Sequence, residues 1–259
     1  MDGLVVLVSG LLGLAIGSFL NVVIWRVPRK ESVVRPPSHC PRCETPIRPA
    51  DNIPVVSWLL LRGKCRHCGE PIAVRYPLVE AGNGILFVAV AARFGASWEL
   101  PAYLVLTAAL LAISMIDFDT KTIPNRINYP LMAAGLALLG LAAAAEGEWW
   151  RYGRAILGGA AFFAFLFIVF FIYPKGMGFG DVRLSFTLGL YLGWLGWGQV
   201  YLGGFLGFVL GAVIGIAVIA SSGWKAARKK ALPFGPFLAL GTMLTIFWGD
   251  PILRWYTGA

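Results

Sequence analysis

Long apolar runs separated by short polar stretches make up most of this 259-residue chain. A helix needs roughly 20 apolar residues to cross about 30 Å of hydrocarbon, and eight runs approach that length. They cover residues 4–25, 77–95, 100–117, 127–145, 155–173, 182–198, 200–221 and 233–249. The pattern predicts an all-α polytopic membrane protein with about eight transmembrane helices.

Two of these runs carry an ambiguity. Only the glycine-rich segment 193–198 divides the sixth run from the seventh, so they fit either two spans or one re-entrant hairpin.

The apolar run at residues 4–25 is longer than the apolar part of a signal peptide and ends without a small-residue cleavage site. We therefore expect no cleavable signal peptide and interpret residues 1–25 as the first transmembrane helix.

Composition agrees with this prediction, since hydrophobic residues make up 58% of the chain and charged residues only 14%, with a mean hydropathy of +0.73. The net charge of +9 would suit nucleic-acid binding in a soluble protein. In a membrane protein, however, excess Lys and Arg mainly sets orientation. We therefore expect the protein to be surrounded by membrane lipid and to have no nucleic-acid partner.

Lys and Arg are concentrated in alternate loops, which hold 18 of the 22 such residues. These loops are 26–76, 118–126, 174–183 and 222–232. The positive-inside rule places them on the cytoplasmic side of the inner membrane, with both termini outside. The basic cluster at 228–230 is interpreted as a topology anchor with mild attraction to anionic lipid.

All four cysteines lie in one long polar segment, residues 26–76. They form two C-x-x-C pairs separated by 21 residues: Cys40 with Cys43, and Cys65 with Cys68. This spacing is typical of a zinc ribbon, and Gly69 would let the backbone turn back toward the sulfurs. Two disulfides or four reduced thiols are the alternatives, but a cytoplasmic location disfavours disulfides and idle thiols would have no reason to pair.

The cysteine pattern thus predicts a small cytoplasmic zinc-ribbon-like loop domain at 26–76, folded by one structural Zn²⁺. His39 and His67 are expected beside the metal rather than on it, because four thiolates complete a tetrahedron. Residues 77–259 would then form a transmembrane core.

Three acidic residues at the ends of predicted spans suggest chemistry, because ionisable groups there are costly and usually functional. They are Glu80, Asp117 and Asp181. The loop alternation puts Asp117 and Asp181 at the same membrane depth. Two adjacent carboxyl groups rarely both ionise, so one can act as acid while the other activates water, as in aspartic peptidases.

Glycines at 176, 178 and 180 precede Asp181 and would let an extended substrate approach that carboxylate closely. The alternative is structural: one aspartate would pair with a basic neighbour such as Arg183, and the other would cap a helix. The residues alone leave both interpretations open. Ser18 and Asn21 are expected to make interhelical hydrogen bonds beside a packing face formed by Gly13 and Gly17.

The combination of motifs resembles the bacterial type IV prepilin peptidases, and the resemblance covers nearly the whole chain in the family's order. The matching motifs are Gly13-x-x-x-Gly17-Ser18-Phe19-Leu20-Asn21, the paired C-x-x-C loop with Asn52-Ile53-Pro54 and Leu61-Arg62-Gly63, Tyr76-Pro77-Leu78-Val79-Glu80, Asp117 with Ile123-Pro124, and Gly178-Phe179-Gly180-Asp181.

The resemblance implies that Asp117 and Asp181 are the catalytic pair. Asp119 is the rival within the first motif, but Asp117 has the family's spacing to the Ile-Pro pair. Arg183 departs from the lysine usual after G-x-G-D, a change that keeps the charge but alters how it is presented.

The resemblance also implies cleavage of the basic leader of type IV prepilins or pseudopilins, in pilus assembly or type II secretion. It further implies N-methylation of the new terminus with S-adenosylmethionine. Glu80 is either part of that methyl-transfer site or a snorkelling partner for the basic loop. A non-enzymatic assembly factor that docks a partner through the zinc loop is the main alternative, and a transporter using the carboxylates as a proton relay is a third. Nothing in the residues specifies an oligomeric state.

Overall fold

The computed structural model describes residues 2–174, 176–223 and 232–258. They form helices and turns, with two isolated antiparallel bridges in the cysteine loop. The helices are α1 (Asp2–Arg26), α2 (Val56–Leu60), α3 (Arg75–Phe94), α4 (Leu100–Thr120), α5 (Asn125–Glu146), α6 (Trp149–Ile172), α7 (Phe179–Leu195), α8 (Trp197–Ser222) and α9 (Gly235–Thr257), with a 3-10 helix at Pro49–Asn52. The predicted basic cluster at 228–230 lies outside the described residues.

Each predicted apolar run coincides with one long helix, which confirms the all-α polytopic class. In the described part of the chain, seven helices are long and apolar enough to cross a membrane. The exception is α7, whose 17 residues extend about 25 Å. Gly196 separates α7 from α8, so the sixth and seventh runs are two distinct helices.

The chain divides into two compact units, Met1–Leu100 and Pro101–Ala259. This grouping places α3 with α1 and the cysteine loop. The sequence-based division at 25 and 76 separates the chain by expected role, and it stays a prediction.

In the first unit, α1 and α3 pack along a seam of small residues. A methyl group added at Gly13 would lie 2.7 Å from Cβ of Phe87, and one at Gly17 would lie 2.7 Å from Cα of Glu80. Such close approach is how helices associate in lipid, where no hydrophobic effect drives them together. Asn21 Nδ2 donates to the Tyr76 carbonyl (3.2 Å), which confirms its predicted interhelical hydrogen bond.

In the second unit, α7 is the most enclosed helix, with twelve of its 17 residues buried. Its glycines pack directly on the backbone of α6: a methyl group at Gly189 would lie 2.5 Å from the Gly158 carbonyl oxygen. At its C-terminus, the Arg154 guanidinium donates to the carbonyls of Gly193 (2.8 Å) and Trp194 (2.7 Å). A cation there binds the last carbonyl groups, which have no partner within the helix, and interacts favourably with the negative end of the helix dipole. The short α7 is thus held by protein along its length, and it carries Asp181 at its other end.

Candidate active site and metal centre

Asp117 lies in the last turn of α4 and is 4% exposed. Its Oδ2 accepts a hydrogen bond from the backbone N–H of Gly235 (3.1 Å), the first residue of α9. The N–H groups of a helix's first turn have no partner within the helix and carry partial positive charge. The N-terminus of α9 therefore orients this carboxylate.

Asp181 lies in the first turn of α7 and is 6% exposed. Its Oδ2 accepts from the Gly178 N–H (3.2 Å). Its Oδ1 is buried and has no hydrogen-bond partner within the described residues. An unsatisfied buried oxygen is costly, so this atom is available to a water or a substrate carbonyl.

Ile123, which follows α4, lies against the backbone next to both aspartates. A methyl group added at Gly180 would lie 3.1 Å from Cβ of Ile123, and one at Gly235 would lie 3.1 Å from its Cδ1. One residue thus contacts the backbone beside both aspartates, which are close enough to interact electrostatically. The structure brings together the predicted pair, and a shared site is where one carboxyl group keeps its proton while the other ionises.

Three alternatives for these aspartates were helix capping, pairing with Arg183, and a role for Asp119 in place of Asp117. Asp181 is not the N-cap residue that the structural interpretation expected: it is the third residue of α7, and its carboxylate accepts from the N–H of the N-cap residue Gly178. Arg183, however, donates to Asn125 Oδ1 (2.9 Å) and lies over the ring of Phe179, so these contacts do not pair it with either aspartate. Asp119 is exposed, two residues beyond the buried Asp117.

The glycines before Asp181 have identifiable structural roles. Gly178 donates its N–H to the Asp181 carboxylate. A methyl group at Gly180 would press on Ile123, whose Cβ would lie only 3.1 Å away. Close packing inside the protein therefore accounts for Gly180, while contact of either glycine with a substrate stays a prediction.

In the first unit, the four cysteine sulfurs all lie within 4.8 Å of one another, and Cys40 Sγ is 3.7 Å from Cys68 Sγ. Tetrahedral zinc with Zn–S bonds of about 2.3 Å requires sulfurs about 3.8 Å apart. None of the four forms a disulfide, so the disulfide interpretation is not supported. The cluster is a candidate four-thiolate metal centre.

Two matching knuckles build this centre, from residues 39–47 and 64–72. In the first, the Cys40 N–H donates to the Thr45 carbonyl (3.0 Å); in the second, the Cys65 N–H donates to the Glu70 carbonyl (2.8 Å). Gly69 has φ of +72°, which confirms its predicted turn. This internal repeat is visible as HCPRCETPI and KCRHCGEPI, a signal beyond the cysteine spacing alone.

The surroundings of the thiols shift their pKa values in different directions. The Thr45 hydroxyl and amide lower the pKa of Cys43 to about 6. The Glu70 amide lowers the pKa of Cys68, but burial and the neighbouring thiols outweigh it and raise the value to about 12. A bound divalent cation would deprotonate all four thiols, because metal binding requires its thiol ligands as thiolates.

Glu80 connects α3 to the cysteine loop. It is 9% exposed, and its Oε2 accepts from the N–H of Val55 (2.7 Å). Val55 precedes α2 with φ of +63°, a conformation that a β-branched residue rarely adopts. Glu80 therefore holds the Asn52-Ile53-Pro54 segment in place through a backbone N–H of the loop.

Comparison with known proteins bears on both sites. A model of the bacterial peptidase A24 N-terminal domain matches residues 11–94, and a model of the type IV leader peptidase family matches residues 104–216. A prepilin leader peptidase/N-methyltransferase of Aeromonas hydrophila is 38% identical, with the match covering 95% of this chain and 91% of the relative. The enzyme of that name from Stutzerimonas stutzeri is 39% identical, covering 97% and 93%. The chain belongs to the type IV leader peptidase family.

Membership in the type IV leader peptidase family confirms the resemblance drawn from the motifs. It does not favour the alternative of a non-enzymatic assembly factor. The first family model spans the four cysteines and Glu80, and the second spans Asp117 and Asp181. No solved structure matched the chain significantly.

Gly235 is the residue of this family member that sequence analysis missed. It lies beyond residue 216, where the family-model match ends, and 118 positions from Asp117. The segment Phe234-Gly235-Pro236 did carry a local signal, because proline is favoured in the first turn of a helix. That signal predicts where a helix begins but not what its N-terminus faces.

Proposed function

We propose that this protein is a membrane aspartic endopeptidase that cleaves the basic leader from type IV prepilins or pseudopilins. The observation that carries the proposal is the pair of buried aspartates, Asp117 and Asp181, placed together by Ile123 and each oriented by a backbone N–H. The relatives bear the name prepilin leader peptidase, which supports this substrate class.

In the proposed reaction, the ionised carboxylate takes a proton from water while the oxygen of that water attacks the scissile carbonyl carbon. The protonated carboxyl group donates its proton to the carbonyl oxygen. Collapse of the tetrahedral intermediate breaks the C–N bond, and the leaving amine takes up a proton. Asp181 Oδ1, buried and without a partner among the described residues, is placed to receive the water or the carbonyl.

The second proposed activity is methylation of the newly formed N-terminus with S-adenosylmethionine as methyl donor. The support is the N-methyltransferase named in the relatives. The cluster of Cys40, Cys43, Cys65 and Cys68 is proposed to bind one Zn²⁺ that stabilises the loop. Its geometry suits four thiolate ligands and offers no open position, so the metal has a structural role.

The proposed orientation puts the loops beginning near 26, 118, 174 and 222 in the cytoplasm, with the aspartates at that face of the inner membrane. The support is the positive-inside distribution of Lys and Arg. A prepilin inserted by its apolar helix would present its leader junction there. Labelling single new thiols in a cysteine-free variant tests it, and outside labelling of the 118–126 loop would contradict the orientation.

The decisive experiment replaces Asp117 and Asp181 by Asn, singly and together, and follows cleavage of a prepilin by product mass. Residues that act as a unit are not additive, so either single change should cost about as much as both. Asp119→Asn is the matched control and should cleave normally. Near-parental cleavage by a correctly inserted Asp117→Asn or Asp181→Asn variant would refute the assignment.

A further inference from the structure

A cavity of about 380 Å³ opens in the first unit, between α1 and the cysteine loop. Its α1 wall includes Ser18, Phe19 and Arg26, and its loop wall includes Ser38 and Asn52. This volume lies within the range of roughly 300–1,000 Å³ typical of small-molecule sites. Two motifs that the peptidase reaction leaves unused, Gly17-Ser18-Phe19 and Asn52-Ile53-Pro54, meet here.

The loop wall of this cavity is held in a defined position. Ser38 precedes the first knuckle, and its carbonyl accepts from the Ile47 N–H (2.9 Å). On the other side, the Glu80 carboxylate holds Val55, next to Pro54. A wall fixed at two points suits a binding site, because a preformed site spends less binding energy on ordering its own residues.

The lining combines a cation, amide and hydroxyl groups, and an aromatic ring. Arg26 is only 9% exposed, and its Nη1 donates to the Ser32 carbonyl (2.9 Å). A guanidinium has five N–H donors, which leaves it able to bind a carboxylate through two of them. Phe19 offers a face for a flat ring or a cationic sulfur, and Asn52 offers an amide that can pair with a purine edge.

We propose that this cavity binds S-adenosylmethionine, with Arg26 on its amino-acid carboxylate and Asn52 and Phe19 near its adenine and sulfonium. The assignment rests on the proposed methyltransferase function and gives that function a location. Glu80 then acts as a positioning residue that fixes the cavity wall, which revises its role as a candidate ligand of the methyl donor.

The test measures binding of radiolabelled S-adenosylmethionine to the purified full-length protein in detergent, with methylation and cleavage of a prepilin read from product masses. Ala15→Trp places a large side chain at the cavity wall. Leu11→Trp introduces the same side chain one turn earlier, at a residue that is 60% exposed, and serves as the matched control. Arg26→Lys keeps the charge but removes the two-pronged geometry.

We expect Arg26→Lys to weaken donor binding by about tenfold or more, the scale of one lost charge-assisted hydrogen bond. Ala15→Trp should weaken it at least as much, by filling the cavity. The fraction of cleaved product that is methylated should fall as the donor affinity falls. Leu11→Trp should match the parent in both quantities. Photo-crosslinking of the donor to the parent protein, which needs no variant to fold, should label peptides from α1 or residues 33–54.

Crosslinks confined to other segments, or parental donor affinity in a folded Ala15→Trp variant, would overturn the assignment. A cavity variant that lost cleavage but kept parental donor binding would also overturn it, because the cavity would then bind the prepilin. In each of these outcomes the parent protein still methylates, so only the location of the donor site would be wrong. A parent that cleaves but neither binds the donor nor methylates would instead refute the proposed methyltransferase function itself.

Discussion

Replacing Gly235 by Ala should impair catalysis while leaving the fold intact. The added methyl group would lie 2.7 Å from Oδ2 of Asp117 and 3.1 Å from Cδ1 of Ile123. The first separation is too short for any real carbon–oxygen contact, so one partner must move. The carboxylate is the end of a flexible side chain, and it should rotate away from the Gly235 N–H that now orients it at 3.1 Å.

The expected loss follows from that hydrogen bond. A bond to a charged group contributes about 1.5–3 kcal/mol, and about 1.4 kcal/mol corresponds to tenfold in rate. We therefore expect kcat for leader cleavage to fall about 10- to 100-fold. KM should change little, because the perturbed group acts on the water or the scissile bond rather than along the substrate helix.

The assay is steady-state cleavage of a prepilin substrate, with thermal unfolding measured on the same samples. Gly153→Ala is the matched control, since a methyl group at that helical glycine of α6 meets nothing within 4 Å. Parental kcat in Gly235→Ala would show that the α9 N-terminus does not orient Asp117. A melting temperature lowered by many degrees would show instead that the substitution disrupts packing.

Three further predictions concern the first unit. Removing zinc with a strong chelator should make residues 26–76 sensitive to protease, and metal analysis before chelation should give one zinc per chain; equal resistance without metal would refute the structural role. Arg66 lowers the pKa of Asp51 by hydrogen bonding, so the stabilising pair is fully formed above the ordinary Asp pKa and is lost as the pH falls through the lowered value. Asp51→Asn should therefore loosen the loop at pH 7, as measured by proteolysis, with the difference from the parent disappearing in strong acid. Gly17→Val should disrupt α1–α3 packing and lower the melting temperature because Glu80 Cα blocks the space, whereas Gly82→Ala, which meets nothing within 4 Å, should not.

Several features could be predicted because they depend on residues near one another in sequence. The apolar runs specify helices by their length, and burial of backbone polar groups in lipid permits little else. The cysteine pairs specify a thiol cluster because each knuckle is a local turn. Asp117 could be preferred over Asp119 from its motif spacing, and the structure buries Asp117 while exposing Asp119.

Other features arose only from packing between distant segments. The contact of the Gly235 N–H with Asp117 joins residues 118 positions apart, and the contact of Glu80 with Val55 depends on how α3 meets the loop. Periodicity does not encode such pairings, because in lipid the glycine-lined faces of several helices are equally apolar and any could pack against another. The sequence by itself determined the apolar helices and the thiol cluster, and it predicted which two carboxylates act. Only the tertiary structure decided which backbone N–H groups orient those carboxylates and where a cavity remains, because both depend on the positions of helix ends that no local pattern specifies.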